Sequence, residues 1–61
     1  MNTTATVTHQ DWLNAKAKRD FRTHIMASEL LAGNLTAARA AAEEFRSWDD
    51  EMTRISKVLD G

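Results

Sequence analysis

Five carboxylates in the second half of the chain are the densest group of side chains that could do chemistry. Clustered carboxylate oxygens bind Ca²⁺ in EF-hand loops and iron in di-iron helical bundles. An EF-hand needs ligands spaced over about 12 residues around an internal glycine, and a di-iron bundle needs Glu-x-x-His on its helices. The sequence has neither pattern, so we interpret the group as surface charge and expect no metal and no other cofactor. The group consists of Glu43, Glu44, Asp49, Asp50 and Glu51.

Two histidines and three serines are the remaining candidates for acid–base or nucleophilic chemistry. A nucleophile needs a neighbouring base and a group that orients that base. No serine stands in such a motif, and the sequence has no glycine-rich phosphate loop. His9 and His24 are too far apart along one predicted helix to bind the same ion. We therefore predict a protein that is not an enzyme and has no small-molecule substrate.

A basic run in the first half of the chain is the one pattern that suggests nucleic acid. Phosphate contacts require clustered cations. On a helix these four side chains spread over about 160° of one face, and Asp20 interrupts the run. We interpret the run as a solvated basic face and keep RNA or DNA binding as the alternative. The run consists of Lys16, Lys18, Arg19 and Arg22.

The chain is short and has no covalent means of stabilising itself. It has 61 residues, a formal charge of −1 and no cysteine. A single core in a chain below about 70–80 residues rarely supplies more than about 3–5 kcal/mol, so we expect self-association, as a homodimer. No stretch approaches the roughly 18 apolar residues of a membrane span, and residues 1–8 lack the features of a secretory signal. We therefore expect a cytoplasmic protein without a membrane partner.

Helix-forming signals cover most of the chain, because proline is absent and glycine occurs only at Gly33 and Gly61. Thr8 followed by Asp11 resembles a capping box at a helix start, and Gly33 can adopt the positive φ that ends a helix. We predict a disordered tail at 1–7 and a helical hairpin at 8–61, with helix 1 at about 9–32, a turn at 33–36 and helix 2 at about 36–59. The predicted fold class is all-α: a two-helix antiparallel hairpin that dimerises into a four-helix bundle.

Helix 2 carries the clearer apolar pattern, with spacings that alternate between three and four residues. This heptad pattern predicts a seam that packs against a neighbouring helix, in the hairpin or in the dimer. Acidic residues flank the seam, and we expect them to pair with cations such as Lys18 or Arg22. The seam of helix 2 consists of Ala38, Ala41, Phe45, Trp48, Met52, Ile55 and Leu59.

Helix 1 has two apolar stripes. At about 100° per residue, one stripe includes Phe21, Ile25 and Leu31, which we predict to join the helix-packing or dimer seam, with His24 on the same core side. A monomeric hairpin can cover only one stripe, so we predict that the second stripe binds another protein. Tryptophan is enriched among the residues that dominate protein interfaces. The residues predicted to bind a partner are Trp12, Met26, Leu30, Arg19 and Arg22.

These observations favour a small, non-catalytic, protein-binding regulator or inhibitor that acts as a helical homodimer. Chains of this size without catalytic groups are typical of phages and mobile elements, so we expect such an origin and a place in the host cytoplasm. One alternative is a nucleic-acid-binding helical dimer that uses the basic run. The other is a structural or assembly component of a larger complex. The sequence does not identify the target.

Overall fold

The structure, a computed structural model, describes residues 7–60 of the chain. These residues form two helices, α1 (His9–Leu31) and α2 (Leu35–Asp60), which pack side by side as a hairpin of 47 × 21 × 15 Å. The all-helical fold with two packed helices is confirmed, and the helix bounds lie within one residue of the predicted ones. Residues 1–6 of the predicted tail lie outside the described residues.

Local signals in the sequence account for the ends of α1. The Thr8 hydroxyl accepts a hydrogen bond from the Asp11 backbone N–H at 3.2 Å, and the Asp11 carboxylate accepts one from the Thr8 N–H at 2.9 Å. This is the capping box that the sequence indicated. At the other end Gly33 has a φ of +80°, and the Asn34 N–H donates to the Glu29 carbonyl at 2.8 Å. These bonds form a Schellman turn, which reverses the chain within three residues.

The core is small and lies in the half of the hairpin farther from the turn. Ala15 of α1 packs there with Met52 and Ile55 of α2, and Trp12, Trp48 and Val7 cover this cluster. Val7, which we had assigned to the disordered tail, therefore contacts the core. Towards the turn, the buried positions of α2 are occupied by alanine only, at Ala38 and Ala41. Among residues 7–60 no large side chain is fully enclosed.

The side of α1 that packs on α2 is not the one that we predicted. Phe21 is 57% exposed and Leu31 is 91% exposed, and His24 is exposed beside them. Phe21, His24 and Leu31 therefore do not face α2 of the same chain. The place of Phe21 and Leu31 in a seam between two chains stays a prediction. Ile25, from the same predicted set, is half-buried at the edge of the contact.

Two ion pairs between the helices accompany this orientation of α1. Arg19 contacts Asp49 at 2.9 Å, and Arg22 contacts Glu44 at 2.9 Å. The two acidic residues lie on opposite edges of the α2 seam, so both pairs form only when the arginines flank the contact. The long alkyl parts of arginine also cover apolar surface, and the Arg19 guanidinium lies 5.7 Å from the Phe45 ring centre. The arginine side of α1 therefore faces α2.

Candidate interaction surfaces

The outward side of α1 carries an exposed apolar stripe, which we call the outer stripe. Its positions recur every three or four residues, the spacing of residues on one face of a helix that contacts another helix. Leu31 at its end has almost no contact within the hairpin. Large side chains at 40% to 91% exposure dominate it, whereas the buried core is mostly alanine. The outer stripe consists of Leu13, Ala17, Phe21, His24, Ser28 and Leu31.

A second apolar surface lies between the helices near the turn, and we call it the loop-end groove. Its cleft has a volume of about 300 Å³ and is open to solvent along its length. The floor is the buried Ala38, and the walls include Leu30 at 51% and Leu35 at 67% exposure. Small residues in the floor let the helices approach closely, so the larger residues stand up on either side. The groove is lined by Met26, Leu30, Leu35, Ala38, Arg39 and Ala42.

The residues predicted to bind a partner do not lie together. Met26 and Leu30 line the loop-end groove, as described above. Trp12 packs on the core cluster at the other end of α1, about 21 Å away along the helix axis, and its ring stacks on that of His9 at 5.9 Å. Arg19 and Arg22 hold the two helices together. The structure thus divides the predicted set between one exposed groove and the packing of the hairpin.

The basic run is largely neutralised within the chain. Lys16 contacts Asp20 at 2.9 Å, and this hydrogen bond lowers the pKa of the Asp20 carboxylate. Arg19 binds Asp20 as well as Asp49, and the hydrogen bond to Asp49 is the main cause of its raised pKa. The Lys18 ammonium lies 4.6 Å from the centre of the Trp48 ring, within range of a cation–π interaction. Few charges of this run are therefore available to phosphates.

Several acidic residues also form ion pairs within the hairpin. Glu44 pairs with Arg22, which is one of the pairings that the heptad positions predicted. Glu51 binds Arg54 one turn later on α2, and this hydrogen bond lowers the pKa of Glu51. Within residues 7–60 no three histidine or acidic side chains converge as metal ligands. Ion pairs within the hairpin thus involve Asp20, Glu44, Asp49 and Glu51.

The opposite face of the hairpin near the turn has a different character. A cleft of about 550 Å³ there is lined mainly by small residues together with Glu29, Glu43, Glu44 and Arg22, of which Arg22 pairs with Glu44, so its net charge is negative. The loop-end groove has no carboxylate in its lining, and its only charged lining residue is Arg39. The two clefts at the turn end therefore carry charges of opposite sign.

Leu35 and Ala42 belong to the loop-end groove although we had not selected them from the sequence. A signal for them was present, because Leu35, Ala38 and Ala42 follow the spacing of three and four residues that marks one helix face. The predicted turn at 33–36 includes Leu35, whereas α2 begins at this residue.

Comparison with known proteins gives no functional information. The chain matches no protein-family model, no curated protein and no solved structure. Neither described helix is both long and apolar enough to cross a membrane. Functional inference therefore depends on the two exposed apolar surfaces and the charges around them.

Proposed function

We propose that the protein is a non-catalytic regulator or inhibitor that binds another protein and acts as a homodimer. In this proposal the outer stripes of two chains pair, so that the four helices of the dimer lie side by side with the two α1 helices in the middle. Each hairpin then presents its loop-end groove to a target protein.

The outer stripe is the observation that carries the proposal. It places Leu13, Phe21 and Leu31 in water, while the buried core of the described chain contains only alanines, Met52 and Ile55. A standard protein interface removes roughly 800 Å² from each partner, which is about one sixth of the 4586 Å² that the hairpin exposes. A second copy is the partner that is always present at equal concentration, and pairing would supply the apolar burial that the short chain lacks.

An antiparallel pairing of two outer stripes alternates layers of aromatic residues with layers of small ones. With the two-fold axis between residues 21 and 24, Phe21 would face His24 of the partner subunit. Ala17 would face Ser28 of the partner subunit in the next layer, and Leu31 would cover the far end of the other helix. This alternation fits the way that side chains of facing helices interdigitate.

The test is the solution mass of the chain by sedimentation equilibrium, together with helix content by circular dichroism. We expect a helical species of twice the chain mass of 6.9 kDa. The double variant Phe21→Glu and Leu31→Glu should shift this species to a monomer, because charge placed in an apolar interface costs several kcal/mol. Val58→Glu is the matched control, since Val58 is also exposed but lies outside the outer stripe.

The control variant should remain dimeric. A monomeric wild-type chain that is fully helical would contradict the proposal, because the outer stripe would then be stable in water. A dimer that survives the double substitution would also contradict it, since the interface would then lie elsewhere.

Nucleic-acid binding has less support, because the basic run is engaged with carboxylates and with Trp48. A gel shift that weakens steeply with salt would favour it over protein binding.

A further inference from the structure

The loop-end groove combines an apolar cleft with a positive edge. Arg39 lines the cleft, and Arg46 lies two turns farther along α2 on the same side of the helix. Within residues 7–60 neither arginine has a carboxylate within 4 Å, whereas Arg19, Arg22 and Arg54 each have at least one. Glu43 lies one turn from both Arg39 and Arg46 without contacting either, so the two guanidinium groups at this edge can pair with an external carboxylate.

The shape of the groove suits a helix. Met26 and Leu30 are one turn apart on α1, and they stand opposite Leu35 and Ala42 of α2 across the alanine floor. An amphipathic helix binds such a groove by inserting apolar residues at positions i, i+3, i+4 and i+7. The groove is too open to enclose a small molecule, because ligand sites bury most of the ligand surface.

We propose that the loop-end groove binds an amphipathic helix of a target protein that carries acidic residues beside its apolar stripe. The apolar side chains of that helix occupy the space between Leu30 and Leu35, and a carboxylate pairs with Arg39. The opposite cleft, with its net negative charge, would repel the same helix. This inference rests on the proposed function as a protein-binding regulator, and it specifies the chemistry of the target.

The experiment uses two synthetic helical peptides as probes against the full-length chain. The first has leucines at i, i+3, i+4 and i+7 flanked by glutamates, and the second has lysine at each glutamate position. Binding is measured by fluorescence anisotropy, and the contact surface is mapped by methyl NMR. We expect the glutamate peptide to bind at least about fivefold more tightly, as one or two exposed ion pairs would provide. The shifts should centre on Met26, Leu30 and Leu35.

Two charge variants sharpen the test. Arg39→Glu should reverse the preference in favour of the lysine peptide. Lys57→Glu makes the same change of charge about 27 Å farther along α2, and it should leave the preference unchanged. Leu30→Ser should weaken binding of the glutamate peptide by about tenfold, because it removes an apolar wall of the groove. Helix content by circular dichroism verifies that each variant is folded.

Equal affinity for the two peptides, absence of saturable binding, or NMR shifts centred on Phe21 and Leu31 would each overturn the inference. Sedimentation of the same samples separates this outcome from failure of the proposed dimer. A monomeric chain that still binds the glutamate peptide would refute the dimer and support the groove. Loss of dimer mass in Arg39→Glu would show that a second copy occupies the groove, which overturns the inference.

Discussion

The two halves of the hairpin are built from the same two helices but are packed differently. In the half near the chain termini, Met52 and Ile55 pack on Ala15 beneath two tryptophans. In the half near the turn, only alanines are buried between the helices, Ile25 and Met26 are half-buried, and the leucines lie on the surface. This difference indicates that the exposed apolar residues near the turn contribute little to the stability of a single chain. They are accessible to a second molecule.

Two ion pairs between the helices lie at the boundary between the halves. Arg19 with Asp49 and Arg22 with Glu44 bridge the helices at the middle of the hairpin, one on each edge of the contact. Exposed ion pairs of this kind contribute little stability, with a median of about 0–1 kcal/mol. They flank the contact, whereas the burial of Ala15, Met52 and Ile55 provides its main stabilisation.

The largest expected effect comes from breaking the core half. Ile55→Ala should lower the free energy of unfolding by about 2–5 kcal/mol, because it removes a buried side chain and leaves a cavity. That loss is comparable to the entire stability of so short a chain. The matched change in the other half, Leu35→Ala, should alter stability by less than about 0.5 kcal/mol. Urea unfolding followed by circular dichroism at one protein concentration measures both, and equal losses would remove the distinction between the halves.

A moderate effect is expected at the turn, where stability depends on backbone conformation. Gly33→Ala should cost about 1–2 kcal/mol, because alanine must adopt a positive φ. A Cβ at this position meets nothing within 4 Å, so packing adds no penalty. Gly33→Asn should cost less, and D-alanine at residue 33 in a synthetic chain should cost nothing, because its preferred φ is positive. Thermal unfolding ranks the three variants, and a penalty for D-alanine would contradict the explanation.

The smallest expected effect is a dependence of stability on acid pH. The pKa of Asp20 is lowered by Lys16 and that of Glu51 by Arg54. A carboxylate with a lowered pKa in the folded state stabilises the fold above its unfolded pKa, and this contribution is lost as pH falls through the folded pKa. Stability should therefore decline below about pH 4, and less so at high salt. In an NMR titration, Lys16→Gln should move the pKa of Asp20 back towards its usual value while that of Glu51 stays low.

Local signals made the helices predictable. Thr8 with Asp11 and the glycine at position 33 mark helix ends through backbone hydrogen bonds that depend only on near neighbours. Six of the seven predicted seam positions of α2 are buried or half-buried, because α2 has one apolar stripe opposite a charged side. The seventh, Leu59, is 42% exposed because it lies in the last turn of the helix. The fold class followed from the helix-end signals and the single apolar stripe of α2.

The rotation of α1 was not predictable in the same way. Periodicity assigns the longer stripe with Phe21 to the helix contact and leaves Met26 outside it, whereas in the structure Met26 is half-buried and Phe21 is 57% exposed. The observed orientation depends on the positions that Met52, Asp49 and Glu44 take relative to α1. Those positions emerge only when the two helices are paired, and the composition of the interaction surfaces follows from them.

The distance of the core from the turn also has a consequence for folding kinetics. Residues next to Gly33 meet at the lowest cost in chain entropy, but their alanine contacts return little energy. The contacts that offset this loss of entropy are those between Ala15 and Ile55. They lie in the part of the hairpin that forms last if pairing of the helices spreads from the turn. A hairpin paired only near its turn is thus not stable, so we expect the chain to fold in a single cooperative step without a populated intermediate.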